Sequence, residues 1–294
     1  MKSFPKISIV VPSFNQGQFI GETLESLISQ QYPNLELMVI DGGSTDNTVA
    51  VIERYASHVK YWVSEKDNGQ THAINKGLAH VTGDIFNWLN SDDVLEPGSL
   101  HHLAELYNRN PHKNLFIGRT RFFDVNGTIR NSIPIVYKSV ATTLGYGQVN
   151  QPAMFYKTNA LTKLLPLDDN LRMCMDLDLW LRYLVEFGQN AICQSDYVLA
   201  GFRFHGDSKT MSAANPFRKE RDVLYEKLMS KHHDNEVVQS AMPYYYLWYA
   251  DELLGEGKTA AAKEMLDAVS FMKLNFEGKR RFVGIYRRLK RKVK

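Results

Sequence analysis

Two adjacent acids, Asp92 and Asp93, close the run Phe86-Asn87-Trp88-Leu89-Asn90-Ser91-Asp92-Asp93. An apolar, strand-like segment ending in paired carboxylates carries a repulsion that packing does not relieve. A hard divalent cation with oxygen ligands relieves it. A cation at the carboxyl edge of an α/β sheet implies a bound phosphate, and so nucleotide chemistry. A single acid would suffice for the other role available there, capping a following helix.

Further residues suited to chemistry are spaced along the chain. Asp41 ends an apolar run and precedes Gly42 and Gly43. A carboxylate there can accept hydrogen bonds from a base or ribose, and the glycines let backbone approach a ligand; an acid shaping a turn fits equally. Glu65-Lys66-Asp67-Asn68-Gly69-Gln70 is a polar, glycine-containing loop ahead of a helix that carries Asn75 one turn further on. Asp176 and Asp178 open an amphipathic helix, where acids also favour the dipole. There they could supply a general base, with Trp180 beside them to hold a sugar ring. His205 lies in Phe202-Arg203-Phe204-His205-Gly206-Asp207-Ser208, a setting suited to phosphate or metal. Neither a G-x-G-x-x-G fingerprint nor a P-loop lysine motif occurs.

The periodicity predicts the elements that position these groups. Short apolar runs at 7–12, 35–40, 59–63 and 85–89 read as buried parallel strands. Helical spacing lies between them, at Ile20, Leu24, Leu27 and Ile28, at 70–80, and in a helix opened by Pro97. This β-α-β-α order predicts a mostly parallel, Rossmann-like sheet flanked by helices. Strands at 115–125 and 128–133 flank the hairpin signal Asn126-Gly127, a short strand follows at 153–156, and a helix at 176–187. The remainder reads as a helical C-terminal extension, about 217–231, 235–255 and 258–272, then a basic segment.

Bulk properties narrow the class. The 294 residues are 44% hydrophobic and 23% charged, with a net charge of +3. No apolar stretch is long enough to read as a membrane span. The start, Met1-Lys2-Ser3-Phe4-Pro5, runs straight into a strand without a signal-peptide pattern. Two cysteines, Cys174 and Cys193, make no disulfide framework, so a reducing, cytoplasmic setting is expected. Residues 278–294 hold nine basic side chains and no acid, which leaves −6 for the rest. Phe282, Ile285, Tyr286, Leu289 and Val293 share a helical face in that segment, the pattern of an amphipathic helix on the inner face of a membrane. An acidic body without a recognition motif argues against nucleic acid as the partner of that segment.

Taken together, Val11-Pro12-Ser13-Phe14-Asn15, Val39-Ile40-Asp41-Gly42-Gly43-Ser44-Thr45-Asp46, the Ser64–Gln70 segment, Leu89-Asn90-Ser91-Asp92-Asp93 and Met175-Asp176-Leu177-Asp178-Leu179-Trp180 resemble family 2 glycosyltransferases of the GT-A fold. The bacterial enzymes that build surface polysaccharides are the most similar subgroup. The resemblance implies a GT-A domain at 1–216, with a nucleotide-sugar half at 1–110 and an acceptor half at 111–216, followed by the helical extension 217–294. It implies inverting, metal-dependent transfer of a hexosyl or N-acetylhexosaminyl group from a nucleotide-diphosphate sugar, a UDP-sugar. The acceptor would be a hydroxyl of a glycan or of a polyprenyl-diphosphate-linked molecule. Carried over by position, Pro12, Ser13, Asn15, Asp41, Lys66, Asp67, Gly69, Asn75, Ser91 and Asp92 would bind the donor. Asp92, Asp93 and His205 would hold Mn2+ or Mg2+, Gln151 and Trp180 would meet the acceptor, and Asp176, or alternatively Asp178, would be the base.

Two departures stand out. Asn90 replaces the first acid of the family's D-x-D motif, and Met175 stands where many relatives have glutamate. Two other readings compete. A sugar-1-phosphate nucleotidyltransferase would need a basic glycine-rich loop, and 11–17 has neither Arg nor Lys. An inactive scaffold acting through 235–272 would not need Asp41, Asp92, Asp93 and Asp176.

Overall fold

The computed structural model describes residues 4–206 and 214–292. They divide into two compact units. The first comprises 4–134, 150–179, 190–206 and the start of the helix Ala214–Lys231 as far as Glu220; the second holds 135–149, 180–189 and 221–292.

Strands β1 (Ile7–Ser13) and β2 (Leu35–Asp41) are almost wholly buried, as their unbroken apolar runs require of strands covered on both faces. With β3 (Tyr61–Ser64) and β4 (Ile85–Trp88) they form a parallel set in the order β3-β2-β1-β4. Helices α1 (Ile20–Ile28), α2 (Thr48–Arg54) and α3 (Gln70–Leu78) make the crossovers. α3 lies so close on β1 that a Cβ at Gly77 would stand 2.5 Å from Val10 Cγ1.

Beyond β4 the sheet becomes mixed. It continues through β8 (Met154–Lys157), β6 (Leu115–Asp124), β9 (Ile192–Arg203) and β5 (Val94–Leu95), and β7 (Gly127–Asn131), which pairs with β6 off this path, makes nine strands among the described residues. β5 pairs antiparallel with β9, which runs parallel to β6. β7 closes the expected hairpin, with Gly127 at φ 114°. β8 is antiparallel to β4 and β6. The twelve-residue β9 is not among the elements expected from periodicity, because its first half is largely exposed and polar. Helix α4 (Ser99–Arg109) starts after Gly98, at φ 78°, rather than at Pro97. One apolar cluster, including Ile9, Leu24, Val39, Ile52, Phe116 and Phe155, joins the helices to this sheet.

Glu36 ties the amino-terminal edge together. Its buried carboxylate accepts from Ser8 Oγ (2.5 Å), Thr82 N (2.8 Å), Thr82 Oγ1 (2.7 Å) and Lys60 Nζ. Burial by itself would raise its pKa, but these donors outweigh burial and bring it down to about 2.

In the second unit, α5 (Val140–Tyr146) is capped at its start by Ser139, whose hydroxyl accepts from Thr142 N at 3.2 Å. At its end the buried Arg221 donates to the carbonyls of Tyr146 (2.5 Å) and Gly147 (3.3 Å). Arg221 also lies 3.6 Å from the Trp248 ring centre. The boundary expected at 216/217 therefore falls at Glu220/Arg221, and 135–149 and 180–189 join the helical part. A terminal carbonyl set satisfied by an arginine from 221 onward leaves no sequence pattern. α6 (Thr158–Leu161) belongs to the first unit, and α7 (Met175–Phe187) is divided between the two, as is α8 (Ala214–Lys231).

Helices α9 (Glu236–Gly255), α10 (Thr259–Asp267) and α11 (Phe276–Lys292) share a core of Leu247, Ala250, Leu254, Leu266, Ile285 and Leu289. This corrects one expectation. The face of α11 read as membrane-facing is in part internal, since Ile285 and Leu289 are buried against these helices; Val293 lies outside the described residues. No helix among the described residues is long and apolar enough to cross a membrane.

Glu36→Gln is expected to destabilise the protein by about 2–3 kcal/mol at neutral pH. The depressed carboxylate contributes stability above its unfolded pKa of 4.5, and that contribution is lost as pH falls through about 2. The gap to the parent protein should close across that window, as followed by urea unfolding at stepped pH.

Candidate functional site

The register of the parallel set gathers the chemistry. Ser13 is level with Asp41, and Asp41 with Ser64, while Val10 is level with Trp88. The loops after β1 to β4 therefore open on one carboxyl edge, where open α/β sheets take ligands. Pro12 is buried within β1, and the buried Ser13 hydroxyl has no hydrogen-bond partner among the described residues, a donor and acceptor in place for a ligand. The next residue, Phe14, is 58% exposed. Asn15 takes a left-handed φ of 53°, accepts from Thr45 N at 2.9 Å, and donates its own N–H to Ser44 Oγ at 2.7 Å.

Asp41 is buried. Its Oδ2 accepts from Gly43 N (3.2 Å), Ser44 N (2.9 Å) and Ser64 Oγ (2.6 Å), while Oδ1 takes the Ser44 hydroxyl. The carboxylate thus orders the turn that forms this edge. Across the turn, a Cβ at Gly42 would stand 2.9 Å from Asp67 Oδ2, so a larger residue there would displace that carboxylate. Asp67 in turn accepts from Gly69 N at 2.7 Å, and Lys66 is exposed on the same loop.

The structure divides the acid pair. Asp92 Oδ2 lies 2.9 Å from His205 Nε2, with the two side chains 22% and 9% exposed. Phe19 lies against the imidazole, ring centres 4.5 Å apart. Asp93 is 1% exposed; its Oδ1 accepts from Arg203 N (3.0 Å) and its Oδ2 from Asn90 Nδ2 (3.2 Å). Burial first, then the Asp92 charge, push its pKa well above the ordinary carboxylate range, while the Arg203 N–H and the Asn90 amide act in the opposite sense. Asp93, expected as a second metal ligand, instead holds the loop from inside. Among the described residues no cluster of three His, Cys, Asp or Glu side chains converges. One carboxylate beside one imidazole still suits Mn2+ or Mg2+ bound jointly with phosphate oxygens from a substrate.

Asn90 is a relay. Its Oδ1 accepts from Gln70 Nε2 (2.6 Å) and its amide donates to Asp93, which links the 65–70 loop to the acid pair. Ser91 is buried and its carbonyl accepts from Thr23 Oγ1 at 2.9 Å. Arg203, flagged in the sequence only as a neighbour of His205, also binds this loop through its side chain. It donates from Nε to the Asp92 carbonyl (2.9 Å) and from Nη2 to Glu22 (2.6 Å), and its guanidinium lies over Phe19 and Phe123.

Asn75 departs from expectation. Its amide bonds the Leu167 carbonyl (2.9 Å), the Leu167 N–H (3.1 Å) and Asp169 (2.7 Å), which commits it to the 167–169 segment. Arg172, not anticipated, reaches over the 65–70 loop to the Asn68 carbonyl; Gly69 has φ 104°, and a Cβ there would meet the guanidinium at 2.4 Å. Glu220 holds the chain leading into α7, accepting from the N–H groups of Arg172, Met173 and Cys174 at 2.8–2.9 Å. Asp176 follows in the first turn of α7, partly exposed, while Asp178 is buried. A lone arginine and a glutamate 48 residues downstream of it leave no motif to read.

Two acceptor assignments are corrected. Trp180 is 0% exposed and stacks on Tyr183 at 6.1 Å, so it packs a core rather than a sugar. Gln151 is buried and donates to Asn87 Oδ1 (3.1 Å) and the Trp88 carbonyl (2.7 Å), which fastens β4.

Comparison with known proteins agrees with this geometry. The profile described as "Glycosyl transferase family 2" matches residues 8–169. An uncharacterised glycosyltransferase of Rickettsia bellii is 28% identical over 250 residues, 80% of this chain and 35% of that one. Another, of Mycobacterium tuberculosis, is 30% identical over 186 residues, 62% of this chain and 70% of that one. The chain spans 35% to 41% of the length of three Rickettsia relatives. Among solved structures, S. aureus TarS 1–349 superposes with a TM-score of 0.68 at 18% identity, covering 98% of this chain and 81% of that one. The mannosyltransferase PcManGT of Pyrobaculum calidifontis, in complex with GDP-Man and Mn2+, gives 0.61 at 17% identity, covering 94% and 78%. These likenesses identify the fold as GT-A. With the family profile covering more than half its length, the chain belongs to glycosyltransferase family 2.

Proposed function

We propose that the protein is an inverting glycosyltransferase that moves a hexosyl or N-acetylhexosaminyl group from a UDP-sugar to an acceptor hydroxyl. The observation that carries this reading is the single carboxyl edge on which the aligned ends of β1 to β4 gather the Ser13, Asp67 and Asp92–His205 loops. Support for a uridine donor comes from TarS 1–349, also solved with UDP-GlcNAc. PcManGT, solved with GDP-Man, makes a GDP-sugar the donor to test against it.

In this reading Ser13, Asn15, Asp41, Lys66 and Asp67 border the nucleoside, with Phe14 offering an exposed ring to the base. Gly69 and Arg172 lie toward the sugar. Asp92 and His205 would hold Mn2+ or Mg2+, which would offset charge on the departing diphosphate. Asp93, Asn90 and Arg203 keep the loop in place. Asp176 is assigned as the base because Asp178 is buried. Its carboxylate removes the proton from the acceptor hydroxyl as that oxygen bonds to the anomeric carbon; the bond from that carbon to the diphosphate oxygen breaks, which inverts the centre. The acceptor assigned is a glycan or polyprenyl-diphosphate-linked glycan of a bacterial surface polysaccharide.

A panel of nucleotide sugars assayed for nucleotide-diphosphate release with Mn2+ or Mg2+ is expected to single out a UDP-sugar; release from GDP-sugars alone would reject the uridine assignment. Asp176→Asn should lower transfer by about 10²–10⁴ while donor affinity in calorimetry holds. Undiminished turnover would move the base to Asp178. Asp92→Ala should weaken donor binding in Mn2+ about tenfold or more, and an unchanged titration would remove it from the metal. Arg203→Ala, by contrast, should cost about 2–3 kcal/mol in urea unfolding, against less than about 1 kcal/mol for Glu22→Ala, whose carboxylate is mostly exposed.

A further inference from the structure

Helix α11 has two unlike faces. Ile285 and Leu289 point inward to the helical core. Opposite them, Phe276, Arg280, Val283, Arg287 and Lys290 follow one another at three- and four-residue steps and so share one face; all are exposed. The short turn Phe271–Lys273 ahead of the helix adds Met272. Met272 is 81% exposed and Phe276 77%. Cations surround the exposed rings: Arg280 lies 6.0 Å from the Phe276 centre, Lys279 5.6 Å from Phe271 and Lys290 4.9 Å from Tyr286.

Asp251 takes Arg281 and Arg288. Among the described residues, Arg280, Arg287, Lys290 and Arg291 make no ion pair. Such a face repels a second copy of itself. Binding to nucleic acid would use the cations and leave the Met272 and Phe276 tips in water. An anionic bilayer satisfies both parts: phosphate groups meet the cations, and the thioether and ring pass below the headgroups.

We propose that the outer face of α11 and the 271–273 turn form a docking surface for an anionic lipid bilayer, with Met272 and Phe276 as the inserted tips. This differs from the mode expected from the sequence, because Ile285 and Leu289 stay in the core. It does not depend on which sugar is moved.

The test is sedimentation of the full chain with phosphatidylcholine vesicles, with and without phosphatidylglycerol. Binding is expected only with phosphatidylglycerol, and should weaken as salt rises. Met272→Ser with Phe276→Ser should reduce it about tenfold or more. Arg287→Gln with Lys290→Gln should reduce it roughly fivefold per charge removed. All four positions are exposed, and circular dichroism checks that the variants fold. The proposal is overturned if the parent protein stays in solution with anionic vesicles, if it binds neutral vesicles equally, or if both double variants sediment like the parent. It is equally overturned if these substitutions abolish duplex binding or self-association while vesicle binding is unchanged.

Discussion

A parallel sheet ends its strands together, and the loops that leave its carboxyl edge must be held without help from the ladder. In this protein one buried carboxylate does much of that. Asp41 accepts from Gly43, Ser44 and Ser64, so it fixes the turn after β2 and joins it to the end of β3. Asn15 fastens the loop after β1 to the same turn through Thr45 and Ser44. With those loops fixed, Asp67 can lie against Gly42, and Ser13 ends β1 level with Asp41. A shift of any one strand by a residue would turn its side chains to the other face and dismantle the arrangement.

The acid pair shows how burial separates equals. Asp92 and Asp93 are the same residue type one position apart. One keeps partial contact with solvent beside His205; the other is enclosed and bonded to Arg203 and Asn90. Enclosure is the larger cost of ionising Asp93, and the neighbouring Asp92 charge adds to it. Asn90 at the first position of the motif now has a physical explanation. An aspartate there would face the Asp93 carboxylate as a third acid, whereas the amide donates to it and still accepts from Gln70.

The helical unit is organised by the same rule applied to carbonyls. Arg221 satisfies the end of α5, and Tyr225 donates to the Leu144 carbonyl at 2.6 Å. These bonds explain why the segment 135–149 belongs with the helical residues from Arg221 onward, a chain separation that loop closure tolerates. The basic helix α11 packs by its apolar stripe and keeps its charge outward.

Much of this was readable from the chain. Apolar runs of seven residues or fewer separated by helical spacing marked out the parallel half, and the segments around Ser13, Asp41, Asp67, Asp92 and Asp176 carried the resemblance to the family. Which acid faces outward, which aromatic is buried and which arginine closes a loop were not readable. Trp180, Gln151 and Asn75 look identical in sequence whether they meet a ligand or a neighbouring carbonyl, because residue type states what a side chain can bond and not what stands within reach. Arg172, Arg203 and Glu220 act across dozens of residues, and β9 carries too little apolar pattern to announce itself. Residue types and their spacing set the chemistry available and the order of the elements. Burial and distance arise only when remote segments pack together, and they fix the partner each polar group finds.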